Sequence, residues 1–191
     1  MSVTASSSQP ERKELSAKVT LAMVLASESV FFGMLVMSYL YLRNGQAGWP
    51  YLQHSLSRLI VPGLNSLVLV LSAWVVRRAQ VAIQGGSTGG LNRNLWVAWL
   101  LGLLFIAGQV FEFQRSGMYP SDPAFGGVFF ALMGFHALHV LAGMLVLALI
   151  GLRAWLGDFD SQDHIAVDGG SWFWYYVTAV WLVLFAVLYL V

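Results

Sequence analysis

Two histidines three residues apart, His136 and His139, stand inside the apolar stretch Gly134-Phe135-His136-Ala137-Leu138-His139-Val140. Residues 125–152 hold no other ionisable side chain. Positions i and i+3 share a helix face, and imidazole suits copper, zinc or iron. A metal centre would need further ligands facing the pair. The other histidines, His54 and His164, fall in expected loops, and a di-iron bundle site wants several inward carboxylates, for which only Glu28 and Glu112 are placed. The favoured reading is therefore interhelical hydrogen bonding, with Glu28 of Ser27-Glu28-Ser29-Val30-Phe31-Phe32 as partner to His136 or His139. A carboxylate at mid-bilayer costs about 2.5–3.5 kcal/mol on insertion scales, so Glu28 is expected to be protonated or paired. A proton relay is the sharper alternative, but Glu28 and two histidines make too short a chain to cross a membrane.

A second polar set comprises Gln109 and Glu112, again at i and i+3, with Arg115 following and able to pair with Glu112 at a helix end. Asn65, Ser66 and Ser72 have the types that glue membrane helices together. Gly102, Gly108, Gly127, Gly134 and Gly143 offer small faces for close helix approach. The run Trp172-Phe173-Trp174-Tyr175-Tyr176 reads as an interfacial aromatic belt in preference to a cofactor wall. No nucleophile–base pair, phosphate loop or complete metal sphere is present, so no catalytic, metal or cofactor-binding residue is assigned in this chain.

The elements that must carry these groups follow from composition. Of 191 residues, 58% are hydrophobic and 10% charged, with a mean hydropathy of +0.71; soluble domains carry roughly 25% charged residues. Five apolar runs, residues 19–42, 59–81, 95–113, 125–155 and 171–191, reach the about 20 residues needed to cross a bilayer. Backbone polar groups in lipid must bond within their own segment, so the runs are helices, and the alternation of a membrane barrel is absent. The fold class is all-α: a polytopic bundle of five transmembrane helices over residues 18–191, preceded by a polar tail over residues 1–17. The first helix is read as retained and not as a cleaved signal. Pro123 is expected to mark the start of the fourth helix and Pro62 to lie near the start of the second, and residues 85–90, Gly-Gly-Ser-Thr-Gly-Gly, are expected as a flexible loop.

With no cysteine, disulfides, thiolate zinc sites and Fe–S clusters are excluded. A net charge of +1 argues against a nucleic-acid partner. Arg12, Lys13, Lys18, Arg77, Arg78, Arg93 and Arg153 would lie on the side of the N-terminus, and only Arg43, Arg58 and Arg115 on the other. The positive-inside rule then puts the N-terminus in the cytoplasm and the C-terminus in the periplasm. Tyr39, Tyr41, Trp49 and Tyr51 would form the outer aromatic belt.

Four stretches, in order, are similar to elements of one known family. Ser27-Glu28-Ser29-Val30-Phe31-Phe32 resembles Ser-Glu-x-x-Phe-Phe, and Leu64-Asn65-Ser66 resembles Leu-Asn-Thr. Gln109-Val110-Phe111-Glu112 resembles Gln-x-x-Glu, and Phe129-Phe130 through Val140 resembles Phe-Phe-x-x-Thr-Gly-Phe-His-Gly-Leu-His-Val. The chain thus resembles subunit III of the haem–copper terminal oxidases, the cytochrome c oxidase subunit 3 family, in its short five-helix bacterial form. It departs from that pattern where Met133 and Ala137 replace Thr and Gly. In the last helix the family's Trp-His-Phe-x-Asp-x-x-Trp becomes Trp174 to Trp181 with Tyr175 and Thr178 in place of the His and Asp.

The resemblance implies a subunit with no redox centre of its own, haem and copper being carried by partners. It implies packing on the catalytic subunit I, with subunit II alongside, in the bacterial inner membrane. It implies structural phospholipids in a cleft, and support for proton uptake and for the durability of a catalytic subunit that reduces O2 to water and pumps protons. Glu28, His136, His139, Gln109, Glu112, Asn65, Trp174 and Trp181 are the residues it marks as lipid-cleft or subunit-interface candidates. A quinol oxidase subunit III, a subunit III-like accessory protein of nitric oxide reductase, and a standalone transporter stand as the alternatives.

Overall fold

The computed structural model describes residues 8–45, 56–116, 125–161 and 163–190. Among them are five helices and no strand: α1 (Ser8–Gly45), α2 (Leu56–Gln84), α3 (Thr88–Ser116), α4 (Phe125–Trp155) and α5 (Ile165–Phe185). The chain ends its described part in a π-helical turn, Ala186–Leu190. All five helices are long and apolar enough to span a membrane, and the chain is a multi-pass membrane protein. α1 extends back into the stretch read as a polar tail, with its apolar span beginning at Glu14. Trp49, Tyr51, His54 and Pro123, and the Arg115 side chain, lie outside the described residues.

α2, α3, α4 and α5 form a closed ring in that order, each packed on the next and α5 returning to α2. α1 stands outside it, laid against α4 and α5. Only 6% of its span is buried, against 28–39% for the other four. The core of the ring is aromatic and aliphatic: Leu69, Val76, Leu95, Phe105, Leu132, Val140, Trp174 and Trp181 are all essentially inaccessible.

The α2–α3 connection is a tight turn and not the flexible loop expected from its glycines. The Gly86 N–H donates to Ile83 O and the Ser87 N–H to Ala82 O, both at 2.8 Å, with Gly86 at φ +76°. This is a Schellman ending, in which glycine takes the left-handed position that closes a helix. Ser87 then caps α3, its Oγ accepting from Gly90 N at 3.2 Å. Thr88, Gly89 and Gly90 are helical because that cap satisfies the first turn. α4 ends in the same way at Gly157, φ +84°, with the Asp158 N–H donating to Arg153 O.

Pro62 is near the start of α2 but past its first turn. It lies inside α2, seven residues into Leu56–Gln84, where its missing N–H leaves one intrahelical bond unmade. Ser66 Oγ donates to Pro62 O at 2.8 Å, a side-chain bond within the same turn of helix.

Candidate functional site

The polar groups of the sequence fall into four sets. The first joins α1 to α4. His139 Nε2 lies 3.1 Å from Glu28 Oε2, and His139 Nδ1 lies 2.7 Å from Phe135 O. A carbonyl oxygen only accepts, so Nδ1 carries a hydrogen. The Nε2–Oε2 contact must then contain one proton, either on histidine facing a carboxylate or on a carboxylic acid facing neutral histidine. The pair is electrically neutral in both forms, which is the arrangement hydrocarbon tolerates. Phe32 and Phe173 pack on the imidazole at ring-centre distances of 5.0 and 6.5 Å. Of the two histidines offered by the sequence, His139 meets Glu28.

His136 points the other way, into the ring. It is 2% exposed, stacked on Trp181 at 5.3 Å, with Phe105 and Phe32 edge-on at 6.0 and 6.5 Å. Neither ring nitrogen has a hydrogen-bond partner among the described residues. The pair that could have chelated a metal is therefore split between two environments. One histidine is committed to Glu28 and a carbonyl, and the other is boxed by aromatic rings. Among the described residues no group of three or more His, Cys, Asp or Glu converges on one point.

The second set is the α2–α5 seam. Trp181 Nε1 donates to Ser66 Oγ and Trp174 Nε1 to Ser72 Oγ, both at 2.9 Å. Trp174 is fully buried. It is not a belt residue, because Gly102 and Gly143 leave it a slot: a Cβ there would stand 2.9 and 2.8 Å from its ring. Trp172, 60% exposed, keeps the surface position expected of the belt. Tyr39 also leaves the belt, being 2% exposed. Asn65 sits one residue from this seam but turns to α3, its Nδ2 donating to Phe105 O at 3.2 Å. Gly108 is the close-approach position that admits it. Gly127 and Gly134 have nothing within 4 Å of an added Cβ among the described residues.

Two polar clusters close the ends of the bundle. At the end bearing the α2–α3 turn, Gln80 Nε2 donates to Asp168 Oδ1 at 2.6 Å, and Tyr175 Oη and Arg77 Nη1 donate to Gln80 Oε1 at 3.2 and 3.3 Å. Tyr175, which stands where the family pattern has histidine, thus keeps a polar link. Thr178 turns back on its own helix, its Oγ1 donating to Trp174 O at 2.9 Å. At the opposite end Tyr189, carried by the π-helical turn, donates to Glu112 Oε1 at 2.7 Å. Gln109 is buried one turn away, with Nε2 unpartnered among the described residues. Glu112 and Gln109 are thus far from Glu28 along the chain's fold and belong to a separate cluster.

Sequence reasoning missed Gln80, Asp168 and Tyr189. Gln80 follows Arg77-Arg78, whose charge hid its burial. The available signal was its place beside Asn65, Leu69, Ser72, Val76 and Ile83, which recur at three- and four-residue steps along one face of α2.

A model of the cytochrome c oxidase subunit III family matches residues 10–191. The chain is 33% identical over 171 residues to cytochrome c oxidase subunit 3 of Thermostichus vulcanus, covering 89% of this chain and 85% of that one. It is 32% identical over 171 residues to the Synechocystis protein of the same name, covering 89% and 73%. It is 32% identical over 172 residues to a probable cytochrome c oxidase subunit 3 of Nocardia farcinica, covering 87% and 84%. With five spanning helices in place and the match running through all of them, the chain belongs to the cytochrome c oxidase subunit III family, whose members are subunits of haem–copper oxidases.

Proposed function

We propose that the chain is a non-redox subunit of a proton-pumping cytochrome c oxidase in a bacterial inner membrane, with its N-terminus cytoplasmic and its C-terminus periplasmic. It packs on catalytic subunit I, with subunit II in the same complex, and stabilises subunit I while holding structural phospholipids. Haem and copper belong to those partners. The observation that carries the reading is α1: a spanning helix with 6% of its span buried, bearing the Glu28–His139 pair, in which Glu28 stays one-third exposed. A neutral but polar pair left facing hydrocarbon gains from a protein or headgroup neighbour, and a subunit interface supplies one. The hydrogen bonds that Asn65, Ser66, Ser72, Gln80 and Glu112 make to neighbouring helical segments support the same reading.

The test is purification of the tagged chain from its host in mild detergent, with a visible spectrum and mass spectrometry of the companions. Haem absorbance with a large subunit bearing copper-ligand histidines is the expected result. A copper-bearing subunit II in the same preparation assigns cytochrome c as donor, whereas its absence assigns a quinol oxidase. A colourless chain without companions would overturn the proposal.

A further inference from the structure

Three side chains in the half of the ring nearer the π-helical turn keep buried atoms without a hydrogen-bond partner among the described residues. These atoms are Nδ1 and Nε2 of His136, Nε2 of Gln109 and Oε2 of Glu112. In folded proteins roughly 90% of such groups are paired, with protein or with ordered water. The three side chains fall along one line. Phe105, Gln109 and Glu112 recur at four- and three-residue steps on the α3 face that also buries Leu91, Leu95 and Ala98. The His136 ring stands level with Phe105, 6.0 Å between ring centres. At a rise of about 1.5 Å per residue, Gln109 lies about 6 Å further along the axis and Glu112 about 4.5 Å beyond it. One bridging water spans about 5–6 Å, twice a hydrogen-bond length, so each step is about one water long.

The surroundings offer nothing else. Met133, Leu132 and Phe129 of α4, which climb from His136 towards the same end, are buried and apolar. Met133 stands where the family pattern has threonine, so no hydroxyl comes from the turn before His136. On the other side of His136 the polar groups are already satisfied. Trp181 and Trp174 donate to Ser66 and Ser72, whose hydroxyls donate onward to Pro62 O at 2.8 Å and Leu69 O at 2.6 Å. Val76, Ala98 and Val140 make that part of the interior apolar. Donors and acceptors along the line balance. A neutral imidazole has one of each, Gln109 Nε2 donates, and an ionised Glu112 Oε2 accepts. A metal ion would meet a single carboxylate and an anion would be repelled by it, whereas water both donates and accepts.

We propose that this half of the ring binds a file of two ordered waters, one bridging His136 to Gln109 and one bridging Gln109 to Glu112. The file is a blind half-channel. It starts beside the Tyr189–Glu112 bond, where Glu112 stays partly exposed, and stops at the Trp181–Phe105 pair, 4.9 Å between ring centres. It lets the His136 ring exchange its proton with water on one side of the membrane only. The file lies inside this chain and does not depend on which oxidase holds it.

The test uses the protein with its native companions, isotope-labelled in its histidine and tryptophan nitrogens and placed in phosphatidylcholine liposomes. Magic-angle-spinning NMR reads the magnetisation passed from water protons to each ring nitrogen, and His136→Phe identifies the His136 signals. The Trp174 indole, buried and bonded to Ser72, is the dry reference. The expected result is transfer to His136 above that to Trp174, and its loss to the Trp174 level in Gln109→Met, which keeps the side-chain length and removes the amide. His139, held by Glu28 and Phe135 O, keeps its signal in that variant. In heavy water the ring hydrogen of His136 exchanges faster in the unmodified protein than in Gln109→Met. If Gln109→Met does not fold, Glu112→Met, which removes the other anchor of the file, is read in the same way. Transfer to His136 no stronger than to Trp174 in the unmodified protein would overturn the proposal with no variant needed. So would a water signal at His136 that survives Gln109→Met or Glu112→Met in a protein of unchanged helix circular dichroism.

Discussion

Replacing Gly143 with alanine places a methyl group where the indole of Trp174 already is. A Cβ at Gly143 would stand 2.8 and 3.0 Å from Trp174 Cε3 and Cζ3 and 3.3 Å from a Phe173 ring carbon. The indole cannot retreat. Its Nε1 is tied to Ser72 Oγ at 2.9 Å, and on its other side Gly102 leaves room for hydrogen only, with a Cβ there 2.9 Å from the ring. Inserting a methyl into such a site costs about 1–3 kcal/mol. Against this, alanine is intrinsically better in a helix than glycine by about 1 kcal/mol. The same substitution at Gly134, on the same helix with nothing within 4 Å of its Cβ, collects the helix gain alone. Gly143→Ala should therefore lie below Gly134→Ala by about 1–3 kcal/mol. At about 2–4 °C per kcal/mol for a chain of this size, the two melting midpoints should be separated by several degrees. Helix circular dichroism in one detergent, scanned on both variants and the parent, reads the difference. A Gly143→Ala protein that melts with or above Gly134→Ala would refute the packing argument, because it would mean that the indole moves freely.

Other outcomes follow from the same geometry. Ser66→Ala strands the buried Trp181 N–H and should cost about 1–3 kcal/mol, whereas adding Trp181→Phe to it removes that stranded donor and should recover part of the loss; thermal melts of the two variants check this. A double-mutant cycle of Glu28→Ala and His139→Phe should return a coupling near 0.6 kcal/mol and no more than about 1.7, the range measured for bonds between membrane helices. A coupling of zero would mean that the 3.1 Å contact carries no energy. Gly86→Ala forces a side chain into φ +76° and should destabilise by about 1–2 kcal/mol, whereas Gly89→Ala, helical and open, should not; the same scans distinguish them.

The five spans were legible because hydropathy reports residence in lipid directly, and the four family-like stretches were legible because they are local in sequence. What stayed hidden depended on which way a side chain turns. Trp174 and Trp172 are two residues apart in one aromatic run, yet one fills the core and the other faces out. Composition cannot separate them without knowing that Gly102 and Gly143, on two other helices, make the slot. The glycines of residues 85–90 suggested mobility because the Schellman pattern is read from hydrogen bonds and not from composition. His136 and His139 share a helix face at i and i+3, but a helix touching neighbours on two sides sends them to different ones. Glu28 was expected to meet one of the two, and the structure selects His139 because α1 lies outside the ring, where only that imidazole is within reach.

The α2–α5 seam has a bearing on the order in which the molecule comes into being. Ribosomes deliver α2 long before α5, and the partners of Ser66 and Ser72 are 115 and 102 residues downstream. Until α5 is threaded into the bilayer, the ring has an open side and those hydroxyls have no indole to receive. α2 and α3, joined by a three-residue turn, can enter as a hairpin, but nothing fastens the circle before its final member arrives. A nascent chain halted after α4 would thus present an unlatched groove to the quality-control proteases of the membrane, and insertion of α5 would be the event that removes the signal.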